Sequence, residues 1–208
     1  MTGFSGYVDP SYFQADSDVL NSALDEIFTQ NPVCKLRGLI VDVRDNKGGS
    51  DALGLQLAAR LSGSSYRAYA VQARNDATDP TRFTRPQPQW VEPNGRTAYT
   101  GPIALLTSPL TKSAGETFTQ AMMSRTPTPY RIGENTQGVF SDVLNRALPN
   151  GWVFGLPNEE FRTRAGTTFD GAGIPPHKVT PGVFSDYELD NNLDTSFDAA
   201  VAYLASVR

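Results

Sequence analysis

Three short segments of this chain carry residue types that could do covalent chemistry. The first is Thr111-Lys112-Ser113-Ala114-Gly115-Glu116, which falls between a buried-strand pattern and a helical one. A serine there sits beside free backbone N–H groups and the positive end of the helix dipole. Such a position suits a nucleophile whose tetrahedral intermediate carries negative charge. The same residues also spell Ser-x-x-Glu, the capping box, in which Ser113 caps the helix and Glu116 reaches back to it. The second segment is Asn46-Lys47-Gly48-Gly49. Paired glycines let a backbone approach a ligand closely, and their N–H groups can form an oxyanion hole. A plain glycine turn gives the same pattern, and the Gly-x-x-x-x-Gly-Lys spacing of a phosphate loop is absent. The third segment runs from Phe169 through Asp170 to His177, rich in glycine and proline. It brings a carboxylate and an imidazole into one turn-rich stretch, where a histidine is also commonly structural or solvated.

The elements that must position these residues alternate between strand and helix. Asp16–Gln30 reads as an amphipathic helix, with Val19, Leu20, Ala23, Leu24, Ile27 and Phe28 at helical spacing. Leu39–Val43 is an apolar run suited to a buried parallel strand, and a helix over Asp51–Leu61 with Gly63 as its C-cap follows the glycine turn. Arg67–Arg74 suggests a further strand. Asn75–Thr97, with four prolines, reads as a long polar loop or lid that walls a substrate groove. Pro102–Thr107 is the next buried strand, Ser113–Ser124 the next helix and Tyr130–Gly133 a third parallel strand. Asp142–Leu148 and Trp152–Leu156 flank Asn150-Gly151, a strong hairpin signal. Asp194–Val207 closes the chain as a helix. The fold class is α/β, with parallel βα repeats and an antiparallel hairpin addition.

Composition narrows the chemistry. At 208 residues, 39% apolar and 19% charged, the chain reads as a single domain spanning 1–208 with room for a sizeable core. A net charge of −4 argues against a nucleic-acid partner, which needs clustered positive charge. Apolar runs are too short to predict an integral membrane segment. Cys34 and His177 are the only cysteine and the only histidine, which excludes disulfide frameworks and three-histidine metal centres within this chain. Neither a metal nor an organic cofactor is expected. Residues Met1–Tyr12 show no positive or apolar signal regions, so no signal peptide is expected there.

Taken together and in order, the motifs resemble those of the C-terminal processing peptidases, the serine peptidase family (S41) that includes tail-specific proteases and the tricorn core. The resemblance rests on Gly38-Leu-Ile-Val-Asp-Val-Arg-Asp-Asn-Lys-Gly-Gly49, Gly101–Thr107 followed by Ser113-Ala-Gly-Glu116, Ile132–Gly138, Leu148–Gly151 and Gly173–Pro176. It implies a crotonase/ClpP-like core and a Ser113 nucleophile. It also implies an oxyanion hole from the Ala114 N–H and a Gly48 or Gly49 N–H, and a substrate of peptides or unfolded protein tails. The processing branch carries a lysine after its Thr-x-Gly turn, but Thr136-Gln137-Gly138 is followed here by Val139 and Phe140. The pattern is therefore closer to the tricorn-like branch, which uses serine, histidine and a carboxylate. Asp170 occupies the carboxylate's place, whereas that branch's histidine lies upstream of the matched region. Two bases are open: His177, or a histidine in an upstream domain missing from this chain. Family members commonly have such a domain and an export signal, so the resemblance also implies an exported protein of the cell envelope. Two other readings stand beside the peptidase: a catalytically silent peptide binder of the same fold, and a hydrolase of small esters or amides.

Overall fold

A computed structural model describes the backbone of residues 7–8 and the whole of residues 17–207. In chain order the elements are β1 (Tyr7–Val8), α1 (Ser17–Gln30), β2 (Leu39–Asp42), α2 (Asp51–Arg60), β3 (Tyr66–Ala73) and β4 (Gln87–Val91). There follow β5 (Ile103–Thr107), α3 (Ala114–Met122), β6 (Tyr130–Gly133), β7 (Val143–Ala147), β8 (Val153–Pro157) and β9 (Glu159–Thr163). The chain closes with β10 (Lys178–Val179), α4 (Asp186–Asn191) and α5 (Thr195–Ser206). The expected start of the first helix at Asp16, and the expectation for Met1–Tyr12 apart from the strand at 7–8, lie outside the described residues.

Continuous apolar runs become the centre of a parallel sheet because such strands are covered on both faces. The sheet order is β1-β2-β5-β6-β10, and every pairing in it is parallel. Alternation along β2 divides the core. Leu39 and Val41 face a large cluster with Leu57, Phe118 and Met122, while Ile40 joins Leu106, Ile132, Ala200 and Leu204 under α5. Arg44, just past β2, forks onto both Asp42 and the Asp194 N-cap of α5, which fastens that helix to the sheet.

The second sheet, β4-β3-β9, is antiparallel and corrects one expectation. The stretch Asn75–Thr97 is not one loop, since Gln87–Val91 pairs with β3. Pro88 does not prevent this, because β4 is an edge strand and an edge position needs no N–H on its outer side. The second helix ends at Arg60 with Leu61 as its C-cap, in place of the expected Gly63 cap. The hairpin β7–β8 forms around Asn150-Gly151 as its turn chemistry predicts, with Leu144 opposite Leu156. Strand β9 and helix α4 were not anticipated.

Candidate active site

The carboxyl ends of β2, β5 and β6 lie side by side, and each continues into a loop there. Open parallel sheets bind their ligands at this edge. Ser113 ends the second of these loops and immediately precedes α3. Its backbone takes φ 51° and ψ −124°, a conformation that costs a non-glycine residue on the order of 1–3 kcal/mol. The surroundings hold it there. The Ser113 N–H donates to the Val139 carbonyl at 2.8 Å, and the Lys112 N–H donates to the Asn46 carbonyl at 3.1 Å. Thr111 Oγ1 donates to the Val43 carbonyl at 2.7 Å, binding the loop to the end of β2. In this strained turn the Ser113 side chain makes no capping hydrogen bond, so the capping box does not form.

Two glycines are required by close approach. A Cβ on Gly48 would lie 2.7 Å from Ser113 Cβ, and Gly48 has φ 101° besides. A Cβ on Gly115 would lie 2.7 Å from Asn46 Oδ1. Asn46 is fully buried between them, and its Oδ1 accepts the Gly48 N–H at 2.8 Å. The Gly48 N–H is therefore committed to Asn46, while Gly49 lies exposed at the mouth of the turn. Ala114 opens α3, where a backbone N–H has no acceptor within the helix.

Glu116, the other half of the unformed capping box, is fully buried and serves a different segment. Its carboxylate accepts hydrogen bonds from Thr136 Oγ1 at 2.5 Å and from the Gly138 and Val139 N–H groups, each at 2.7 Å. Burial pushes this carboxyl above its ordinary value, and the hydrogen bonds pull against that rise. The turn so anchored is the one whose Val139 carbonyl holds Ser113. Asp170 reaches the same turn, its Oδ1 lying 3.5 Å from the Phe140 N–H, and the next residue, Gly171, donates to the Gly138 carbonyl at 2.8 Å. Where the resemblance would seat a lysine, Val139 carries only an isopropyl group.

His177 is not brought to Ser113. It precedes β10 at the opposite, amino end of the sheet and on the α5 side, where its ring stacks on Tyr130 and Tyr130 stacks on Tyr203. Its Nδ1 accepts the Arg131 N–H at 2.9 Å. Burial and the Arg131 charge hold the imidazole below its ordinary pKa. An Nδ1 that accepts leaves the proton of the neutral ring on Nε2, whereas a catalytic base of the triad kind donates Nδ1–H to an orienting acceptor and keeps its Nε2 lone pair free. This geometry does not support the expectation that His177 is the base.

A cavity of about 430 Å³ lies between the start of α2 and the β4-β3-β9 sheet. Asp51, Tyr69, Gln72, Gln87, Asp142 and Glu159 contribute its polar lining. Asp51 accepts a hydrogen bond from Thr117 Oγ1 at 2.7 Å, and the Thr117 N–H in turn donates to the Ser113 carbonyl at 3.0 Å. Burial, with the charges of Asp142 and Glu159 adding to it, pushes Asp51 up to about 6. Sequence reading did not find this group, because its members come from α2, β3, β4, β9 and the approach to β7 with no shared spacing. Glu116 and Asn46 were visible within their motifs, but as a cap and a turn residue. Among the described residues no group of three His, Cys, Asp or Glu could hold a metal ion. No helix among the described residues is long and apolar enough to cross a membrane.

The family model of peptidase family S41 matches residues 5–180. No curated protein sequence matches the chain. Among solved structures, a candidate peptidase from Parabacteroides merdae is similar at 26% identity and a TM-score of 0.82, over 95% of this chain and 60% of its own. Mature CPAF complexed with lactacystin is similar at 14% identity and a TM-score of 0.73, over 97% of this chain and 50% of its own. The photosystem II D1 C-terminal processing protease is similar at 20% identity and a TM-score of 0.64, over 88% of this chain and 44% of its own. The likeness to the last two speaks for the fold. The chain spans three-fifths or less of the length of each of these structures.

Proposed function

The chain belongs to peptidase family S41, and from that premise we propose that it is the catalytic core of a serine-type peptidase acting on peptides or unfolded protein tails. The observation that carries the proposal is Ser113: a helix-start serine in a strained conformation, free of any cap, with the Gly48 backbone against its side chain. Strain of this kind persists where surrounding structure imposes it, and it gathers at reacting groups. Ser113 Oγ attacks the scissile carbonyl, and the Ala114 and Gly49 N–H groups stabilise the oxyanion. The acyl-enzyme forms as the amine leaves, and water then releases the new carboxylate.

The general base is a histidine from outside this chain, oriented by Asp170, as in the tricorn-like branch. Support comes from Val139 at the lysine position and from His177 at the far end of the sheet. The short coverage of the similar structures is consistent with it. Labelling with a fluorophosphonate probe tests the proposal on this chain, on the chain with its native flanking sequence, and on Ser113→Ala and His177→Ala in each. The flanked protein is expected to label, Ser113→Ala to lose all labelling and His177→Ala to keep it. Absence of Ser113-dependent labelling in the flanked protein would overturn the peptidase reading. The geometry of His177 also favours one other reading, a silent peptide binder, whose peptide affinity would survive Ser113→Ala with no labelling in any form.

A further inference from the structure

The cavity walled by Asp51 has a chemistry that the peptidase reading does not use. Three carboxylates, Asp51, Asp142 and Glu159, line it, and no lysine or arginine does. Among the described residues none of the three takes part in an ion pair. Like charges gathered without a counter-ion repel one another, and a cation in the cavity would relieve that repulsion. Leu55, Val71 and Phe161 supply apolar wall between the polar groups. That mixture matches a long side chain with an aliphatic stem and a charged end. The volume lies within the range of small-ligand pockets, roughly 300–1,000 Å³.

Position links the cavity to the reaction. Its wall is reached from Ser113 by two routes: Gly48-Gly49-Ser50 to Asp51, and Val139-Phe140-Ser141 to Asp142. Both routes begin at groups in contact with Ser113. The cavity wall therefore begins three residues along the chain from two groups that touch Ser113.

We propose that this cavity is a substrate subsite selecting an arginine or lysine side chain next to the bond that Ser113 attacks. The proposal rests on the peptidase reading, and its test separates the two. Pentapeptides with arginine, norleucine or glutamate at the central position, flanked by alanines and blocked at both ends, are titrated calorimetrically into the flanked Ser113→Ala protein. The arginine peptide is expected to bind about tenfold more tightly than the norleucine peptide, as for a charge-assisted contact. Added salt should narrow that gap. Asp142→Asn with Glu159→Gln, both outside the core, should abolish the preference while circular dichroism stays unchanged. Equal binding of norleucine or glutamate, no binding of any peptide, or a preference that survives the double variant would overturn the subsite. Fluorophosphonate labelling of the Ser113 protein is read separately. Labelling without arginine preference removes the subsite alone, and preference without labelling removes the peptidase reading while leaving a cation-selective peptide groove.

Discussion

Two helices of this protein begin with the same four-residue pattern and use it in opposite ways. At α4, Ser185 has φ −70° and ψ 157°, its side chain accepts the Glu188 N–H, and Glu188 reaches back to the Ser185 N–H. Both halves of the capping box are present. At α3, Ser113 has φ 51° and ψ −124°, makes no cap, and its Glu116 holds the turn over Thr136–Val139 instead. The difference lies in the neighbours. Helix α4 follows an exposed loop, so its start is free to settle into the local minimum. The start of α3 is pinned by Asn46, Gly48 and Val139, and a local rule yields to that set of contacts. A serine denied its capping role is a serine available for chemistry.

Substitutions at the two starts should separate accordingly. The largest effect is expected from Gly48→Ala. The added methyl group meets Ser113 Cβ in a backbone conformation that alanine resists, so labelling of the flanked protein should fall about 100-fold, as for small misplacements of reacting groups. Wild-type labelling in Gly48→Ala would show that the glycine's approach does not matter. Glu116→Gln should slow labelling by about tenfold through the loosened Val139 turn. Glu188→Gln at the other helix should leave labelling unchanged, and equal effects at the two would dissolve the contrast.

Ser185→Ala should lower stability in urea by about 1 kcal/mol, the usual value of an N-cap, with labelling intact. Ser113→Ala should cost less stability than that, because no cap is lost.

The smallest expected effect concerns pH. Hydrogen bonds from Thr195 and Ser185 hold Glu188 down at about 2. Its folded value lies below its unfolded one, so its stabilisation is present above about pH 4.5 and fades as the pH falls toward 2. Glu116 is shifted the other way by burial, so ionising it opposes folding as the pH rises. The stability difference between wild type and Glu188→Gln should shrink on acidification through that window, and a constant difference would contradict the assignment.

Much of the frame was legible in the residues. Leu39–Asp42, Ile103–Thr107 and Tyr130–Gly133 announced themselves as buried strands, and Asn150-Gly151 as a hairpin turn, because each pattern is local. Gln87–Val91 was hidden by Pro88, whose tolerance depends on being at an edge, and an edge is a property of the assembled sheet. His177 and Asp170 looked like partners because they are close in sequence. The fold separates them, carrying Asp170 to the turn beside Ser113 and His177 to the amino end of the sheet.

The sequence by itself determined the parallel core, the family and the candidate nucleophile, since apolar period, glycine position and motif order are written along one dimension. Tertiary structure alone decided that Ser113 is not a cap, that His177 is not beside it, and that Asp51, Asp142 and Glu159 share a cavity. Each of those outcomes depends on contacts between segments distant in the chain, whose combined energy outweighs any local preference.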